Sequence, residues 1–155
     1  MTEIGSQAAI DADQVLNRSN GREAAVAEVA KTPLAWAMRI AMHEDINRIL
    51  SELVAMLRPD YGWQADVLVR LRDAIDSDDL EAAADQFASG DLWGGSGSVH
   101  DVTLADSASN ARKCGLIIEL VDRFALVGIT NGAASEMAAI YRRWMAEGVF
   151  CRPPA

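Results

Sequence analysis

Cysteine is scarce in this 155-residue chain, with Cys114 and Cys151 the only two, too few for a disulfide framework. The expected state is two reduced thiols in a cytoplasm, with Cys114 buried as a small hydrophobe. Histidine is as rare, at His43 and His100 only, so a two-histidine metal site would have to join distant segments. Lysine occurs at Lys31 and Lys113, and the other twelve of the fourteen bases are arginine. No run of about 18 apolar residues is present, which excludes a transmembrane helix. The opening Met1 to Ser6 has neither a basic n-region nor an apolar h-region, so no Sec signal and no membrane attachment are expected.

What is present describes a globular chain. Half the residues are hydrophobic and 24% are charged, far from the disordered regime. A domain of this size buries roughly 70% of its unfolded surface and needs no metal or disulfide to hold a core. The arginine bias and the 27 alanines point to a GC-rich bacterial genome.

Charge is unevenly placed. Between Asp60 and Asp106 eleven acids face only Arg70 and Arg72, and this segment carries the entire net charge of −9. The remainder holds twelve acids and twelve bases. Such a segment repels phosphate backbones and attracts cationic partners by long-range steering that salt weakens. Direct nucleic-acid binding is therefore disfavoured.

Hydrophobic spacing predicts helices. Residues 1–31 form an Ala-rich arm, with short helices over 6–16 and 22–30, ahead of a bundle domain over 32–150 and a tail over 151–155. Thr32-Pro33 is a helix start. From Leu34 to Leu57 the stripe Ile46, Ile49, Leu50, Leu53, Leu57 follows helical spacing, with Trp36 and Ile40 extending it backwards. A further helix over 62–75 sets Trp63, Val67, Leu68, Leu71 and Ile75 on one face. Asp78 with Glu81 reads as a capping-box variant for the next, whose inward residues are Leu80, Ala84 and Phe87 and whose C′ glycine is Gly90. Residues 91–110 read as a long Gly-rich loop, with a short extended piece at 99–104. Arg112 to Val127 reads as helix through Ile117, Leu120, Val121 and Phe124, although 116–118 and 125–127 also suit buried strands. A last helix over 133–147 turns Met137, Ile140, Tyr141 and Trp144 inward. The expected architecture is an all-α, single-domain bundle of five to seven helices.

Motifs for catalysis are incomplete. His43-Glu44-Asp45-Ile46-Asn47 begins like a metalloprotease helix but has Asn47 where the second histidine belongs. His100-Asp101 resembles half of a metal pair without further ligands, and neither metal nor cofactor is expected. Gly94-Gly95-Ser96-Gly97-Ser98 is no P-loop, since no Gly-Lys-Ser/Thr follows, and it fails the nucleophile elbow because the second glycine falls on Ser98. Its amides could form an anion nest, but nearby carboxylates oppose a phosphate, and a tight turn packed against Trp93 is the simpler reading. Ser98, His100 and Asp101 hold the residue types of a triad, yet neighbours in one loop seldom line up nucleophile, base and orienter. Among the tryptophans, Trp93 lies outside the helical stripes and is the one expected to be exposed.

The run Trp93 to Leu104 resembles the signature of a family of small helical bacterial domains of unknown function. That signature reads aromatic-Gly-Gly-x-Gly-Ser-hydrophobic-Asn-Asp-hydrophobic-x-Leu. The resemblance covers roughly residues 46–127, with two short helices before the motif and one after. His100 stands where the family has Asn, and Ser96 where it has Met. It implies a bacterial protein whose loop, through Gly94, Gly95, Gly97, Ser98 and Asp101, is structural, and it brings no activity with it.

The expected function is non-enzymatic protein binding: a cytoplasmic immunity protein that neutralises a cognate toxin or effector with a basic cleft. Asp76, Asp78, Asp79, Glu81, Asp85, Asp91 and Trp93 are the candidate contact residues, with Asp76 and Asp85 the most freely replaceable. The alternatives are an adaptor or chaperone, an acidic nucleic-acid mimic, or a small enzyme built around Ser98, His100 and Asp101.

Overall fold

The computed structural model describes the backbone of residues 33–149 and side chains from residue 40 onward. The chain divides into two compact units, Met1–Ala41 and Met42–Ala155, and everything that bears on a site lies in the second. The helices expected over 6–16 and 22–30, the Thr32 cap and the tail with Cys151 fall outside the described residues, as does the side chain of Trp36.

Six helical segments follow in order: α1 (Pro33–Leu57), α2 (Gly62–Asp76), α3 (Leu80–Ala88), the single turn α4 (Gly90–Trp93), α5 (Ser107–Leu126) and α6 (Gly132–Ala146). No strand occurs among the described residues, so the all-α bundle stands. Residues 99–104 are turn and coil, without the extended piece, and 107–126 are helix throughout. The long loop is shorter than expected, spanning 94–106, because residues 90–93 form α4 and α5 begins at Ser107.

The stripe on α1 is buried as its spacing predicts, from Ile46 through Ile49, Leu50 and Leu53 to Leu57. These side chains join Val67, Leu68 and Leu71 of α2, Phe87 of α3 and Leu116, Ile117, Leu120 and Phe124 of α5 in one core. Phe87 stacks on Phe124 with ring centroids 4.2 Å apart and meets Trp93 edge-on at 5.5 Å, geometries that aromatic pairs favour. Three residues expected to point inward do not. Trp63 is 51% exposed, Leu80 is exposed, and so is Ile40. Trp63 and Leu80 occupy the first turns of their helices. In α3 the burial falls on Phe87, as expected, and on Ala83 rather than Leu80.

Local capping explains two shifts from the expected boundaries. Asp78 is not a cap. It holds φ +56, with its N–H on the Ile75 carbonyl and the Asp79 N–H on that of Ala74. That is the pair of bonds that closes a helix in a Schellman turn, and aspartate is among the few non-glycine residues that tolerate the left-handed geometry. With Asp78 consumed by the end of α2, Asp79 caps α3, its Oδ1 accepting the Ala82 N–H at 3.0 Å. Glu81 is then one position too early to complete a capping box. Gly90 likewise opens α4 rather than closing α3, whose C-cap, Ser89, is extended. Gly128, at φ +82, closes α5 by the same Schellman bonds, Ile129 N–H to Phe124 and Gly128 N–H to Ala125.

Asp79→Ala removes the side-chain cap on the first turn of α3 and should cost about 1 kcal/mol. Urea unfolding followed by circular dichroism checks this. An unchanged midpoint would place the cap on another residue.

Candidate functional site

The loop 94–106 begins glycine-rich, buries Val99 and Val102 in the core, and pairs with no strand among the described residues, so its backbone groups must find partners elsewhere. Some find them within the loop and α4. The Gly94 N–H meets the Gly90 carbonyl at 2.7 Å, Ser98 N–H meets Gly95, and the Val99 and His100 amides reach the Asp91 and Leu92 carbonyls. Asp101 Oδ2 accepts the Gly97 N–H at 3.2 Å. The amides of Gly94, Gly97 and Ser98 are thereby occupied and do not form an anion nest. Gly94 is required by contact, since a Cβ there would lie 2.4 Å from the Gly90 carbonyl oxygen. Gly95 and Gly97 are required by backbone geometry, at φ +83 and +88.

Five further carbonyls of the loop, those of Gly97, His100, Val102, Thr103 and Leu104, are taken by side chains from three helices and their flanks. Tyr61 donates its hydroxyl to Thr103 O at 2.7 Å, and Gln64 donates to Gly97 O at 2.8 Å. The Asn110 amide closes on both the N–H and the carbonyl of Leu104. Tyr141 donates to His100 O at 2.7 Å. Lys113 donates to that same carbonyl at 3.1 Å and also to Val102 O. Lys113 is only 3% exposed, and burial pulls its ammonium below the ordinary lysine range. Burial pushes the Cys114 thiol and the Tyr141 hydroxyl the other way, above their ordinary values.

Lys113 did not figure among the sequence candidates, yet the sequence marks it. It stands four residues before Ile117 and seven before Leu120, on the apolar stripe of α5, where a surface lysine has no place.

Trp93 was expected at the surface and is buried, 8% exposed, with its indole N–H on the Phe87 carbonyl. It anchors the loop from inside. Ser98 and His100 are brought together, Ser98 Oγ lying 2.7 Å from His100 Nδ1. Asp101 does not continue the chain, because its carboxylate is engaged by the Gly97 amide. His100 Nδ1 also lies 3.2 Å from Leu92 O, and Ser98 is 4% exposed. A hydroxyl so enclosed has no approach for a substrate carbonyl, and the pair reads as a loop staple. Among the described residues no group of three or more His, Cys, Asp or Glu is placed to hold a metal ion.

The acidic candidates lie where α2 turns into α3. Asp76, Asp78, Asp79, Glu81 and Asp85 are all exposed, and no lysine or arginine occurs between Arg72 and Arg112. Their surroundings differ. Asp76 accepts the Asn47 side-chain amide of α1 at 2.5 Å, so it ties two helices and is not freely replaceable as expected. Asp91 is half-buried and pairs with Arg70 at 3.4 Å, which withdraws it from the exposed group. A separate cavity of about 380 Å³ opens between residues 100–103, the start of α5 and the inner face of α6. Compared with known proteins, the chain matches no family model, no curated protein and no solved structure.

Two outcomes follow from the loop. Gly94→Ala should destabilise the protein by roughly 1–3 kcal/mol through overpacking, whereas Ser96→Ala, at an exposed loop position, should stay within about 0.5 kcal/mol. Equal midpoints for the two in thermal or urea unfolding would show that the Gly94–Gly90 approach relaxes freely. The second outcome concerns pH. A thiol whose folded pKa is raised contributes stability that is complete below the free-thiol value and is lost as pH rises. The wild type should therefore lose stability relative to Cys114→Ala above about pH 8.5. Parallel stability profiles through that range would remove Cys114 from the alkaline response.

Proposed function

We propose that the chain is a non-enzymatic protein-binding domain, an immunity protein that neutralises a bacterial toxin or effector by covering its basic cleft with the acidic end of α2 and α3. The observation that carries this reading is the exposure of Asp78, Asp79, Glu81 and Asp85 around one Schellman turn, in a span of chain that contains no base. The tight turn concentrates the carboxylates, and a concentrated field of one sign raises the encounter rate with a cationic surface. Elsewhere arginines neutralise their neighbours: Arg58 pairs with Asp66, Arg123 with Asp45, and Arg142 with Asp122. The charge contrast between these regions orients an approaching partner. The enclosed Ser98 hydroxyl supports binding over hydrolysis at the loop. The family resemblance of residues 93–104 is compatible with this reading and adds no activity to it.

Glu81 and Asp85 are the positions for a test, since Asp79 caps α3 and Asp76 bonds to Asn47. The partner is first isolated from a bacterial host on the tagged protein, and its toxicity is assayed with and without an equimolar amount of the chain. Neutralisation is expected. Glu81→Lys with Asp85→Lys should then slow association about tenfold at low salt, with little effect on dissociation and a smaller difference at high salt. A partner that stays active in the complex would overturn the immunity role. An association rate indifferent to the double reversal would remove the acidic turn from the interface.

A further inference from the structure

The cavity beside the loop has two unlike walls. Met137 and Trp144 of α6 form an apolar side, extended by the Tyr141 ring, whose centroid is 5.6 Å from that of Trp144. Lys113 and Asn110 of α5 line the polar side, and Asp101 stands at the exposed edge. At about 380 Å³ the space is at the small end of ligand pockets, which run from about 300 to 1,000 Å³.

Lys113 is the unusual member. Its ammonium has three N–H donors, and its acceptors are the carbonyls of His100 and Val102. Both are neutral. Among the described residues no carboxylate lies within ion-pair distance of it. Asp101 is close enough to favour its charged form but bonds to the Gly97 amide instead. A cation 3% exposed without a counter-ion is costly, because burial removes hydration that carbonyl dipoles only partly replace. An anion in the cavity would supply the missing charge.

We propose that this cavity binds a small organic anion, a monocarboxylate bearing an aromatic or branched apolar group. The carboxylate accepts the third N–H of Lys113, and the apolar group lies against Met137 and Trp144. Asp101 opposes the ligand, but the two charges act unequally. Asp101 is exposed and screened by water, whereas Lys113 is buried, where the same Coulomb interaction is several times stronger. The balance therefore favours an anion, and it should favour it more once Asp101 is neutralised. This site is independent of the acidic turn and of the immunity reading.

The test is calorimetric titration of the intact chain at low ionic strength with phenylacetate and 4-methylpentanoate. The neutral 2-phenylethanol and the cation 2-phenylethylammonium serve as charge controls. Saturable one-site binding of at least one carboxylate is expected, at least tenfold tighter than the alcohol, with the ammonium weaker still. Asp101→Asn keeps an oxygen for the Gly97 amide and should tighten the carboxylate several-fold. Met137→Trp should fill the cavity and abolish binding, with circular dichroism confirming that the helices persist. Lys113→Met alone is less decisive, since it also takes the donor from the Val102 carbonyl, while Tyr141 still holds that of His100. Absence of saturation by either carboxylate at millimolar concentration would overturn the proposal. So would an alcohol or ammonium that binds as tightly as the acid, or weakened carboxylate binding in Asp101→Asn.

Discussion

The hydrogen bonds from Lys113 and Tyr141 to the carbonyl of His100 are the constraint on which the rest of this domain depends. A helix satisfies its own backbone, but residues 94–106 form neither helix nor strand, and they lie over a core that water does not reach. Each buried carbonyl left unpaired there would cost roughly 1–3 kcal/mol. The donors come from Tyr61 and Gln64 near the start of α2, from Asn110 and Lys113 on α5, and from Tyr141 on α6. The loop thus fastens α2, α5 and α6 to one another, in addition to the direct packing and the Arg142–Asp122 pair that join α5 and α6. Placing an ammonium there is expensive in desolvation. Charge-assisted bonds to two carbonyls offset part of it, and the adjoining cavity is where the remaining imbalance is open to a ligand.

Away from the loop, charged pairs set the register of α1 against α5. Arg112 grips Glu52 through two nitrogens, at 2.6 and 2.7 Å, Arg48 reaches Glu119, and Arg123 reaches Asp45. The Arg112 guanidinium holds the Glu52 carboxyl below the usual carboxylate range. Exposed pairs of this kind contribute little stability each. Their role is directional: a slide of α1 by one turn would break the bidentate pair and the Asn47–Asp76 bond together.

How far the sequence revealed this structure depends on which physical signal each residue carries. Helical periodicity reports burial averaged over several turns. It therefore located Ile46 to Leu57 and Ile117 to Phe124, where the stripe is long, and misplaced Trp63 and Leu80, which sit in first turns. Capping residues are readable as a class but not by position, because adjacent aspartates compete. Asp78 and Asp79 differ only in which one the preceding helix claims for its left-handed end, and that is decided by where α2 stops. Trp93 has no stripe because its burial is arranged by α4 and by the Phe87 carbonyl, a tertiary contact that no local pattern records. Lys113 was the reverse case, a local conflict between charge and periodicity visible in the sequence, whose resolution needed the loop carbonyls in view. The Ser98, His100, Asp101 triad is disfavoured by sequence because loop neighbours seldom line up all three members, and the turn through Val99 brings together only two of them, Ser98 and His100.

The same distinction sharpens what the acidic segment can do. Much of its charge is already committed within the fold: Asp66 to Arg58, Asp73 to Arg72, Asp91 to Arg70, Asp76 to Asn47, Asp101 to the Gly97 amide. Asp79 and Asp106 cap α3 and α5, where a carboxylate also complements the helix dipole. An acidic stretch with these duties would be selected for folding even in the absence of a partner, so net charge alone argues little for recognition. Glu81 and Asp85 are different. Both are exposed and, among the described residues, take no part in those bonds, and Asp85 lies beyond the first turn where the dipole acts. Glu81 shares only in the dipole of α3 and Asp85 not even in that, and the case for a cationic partner at this end of the molecule therefore rests chiefly on these two side chains.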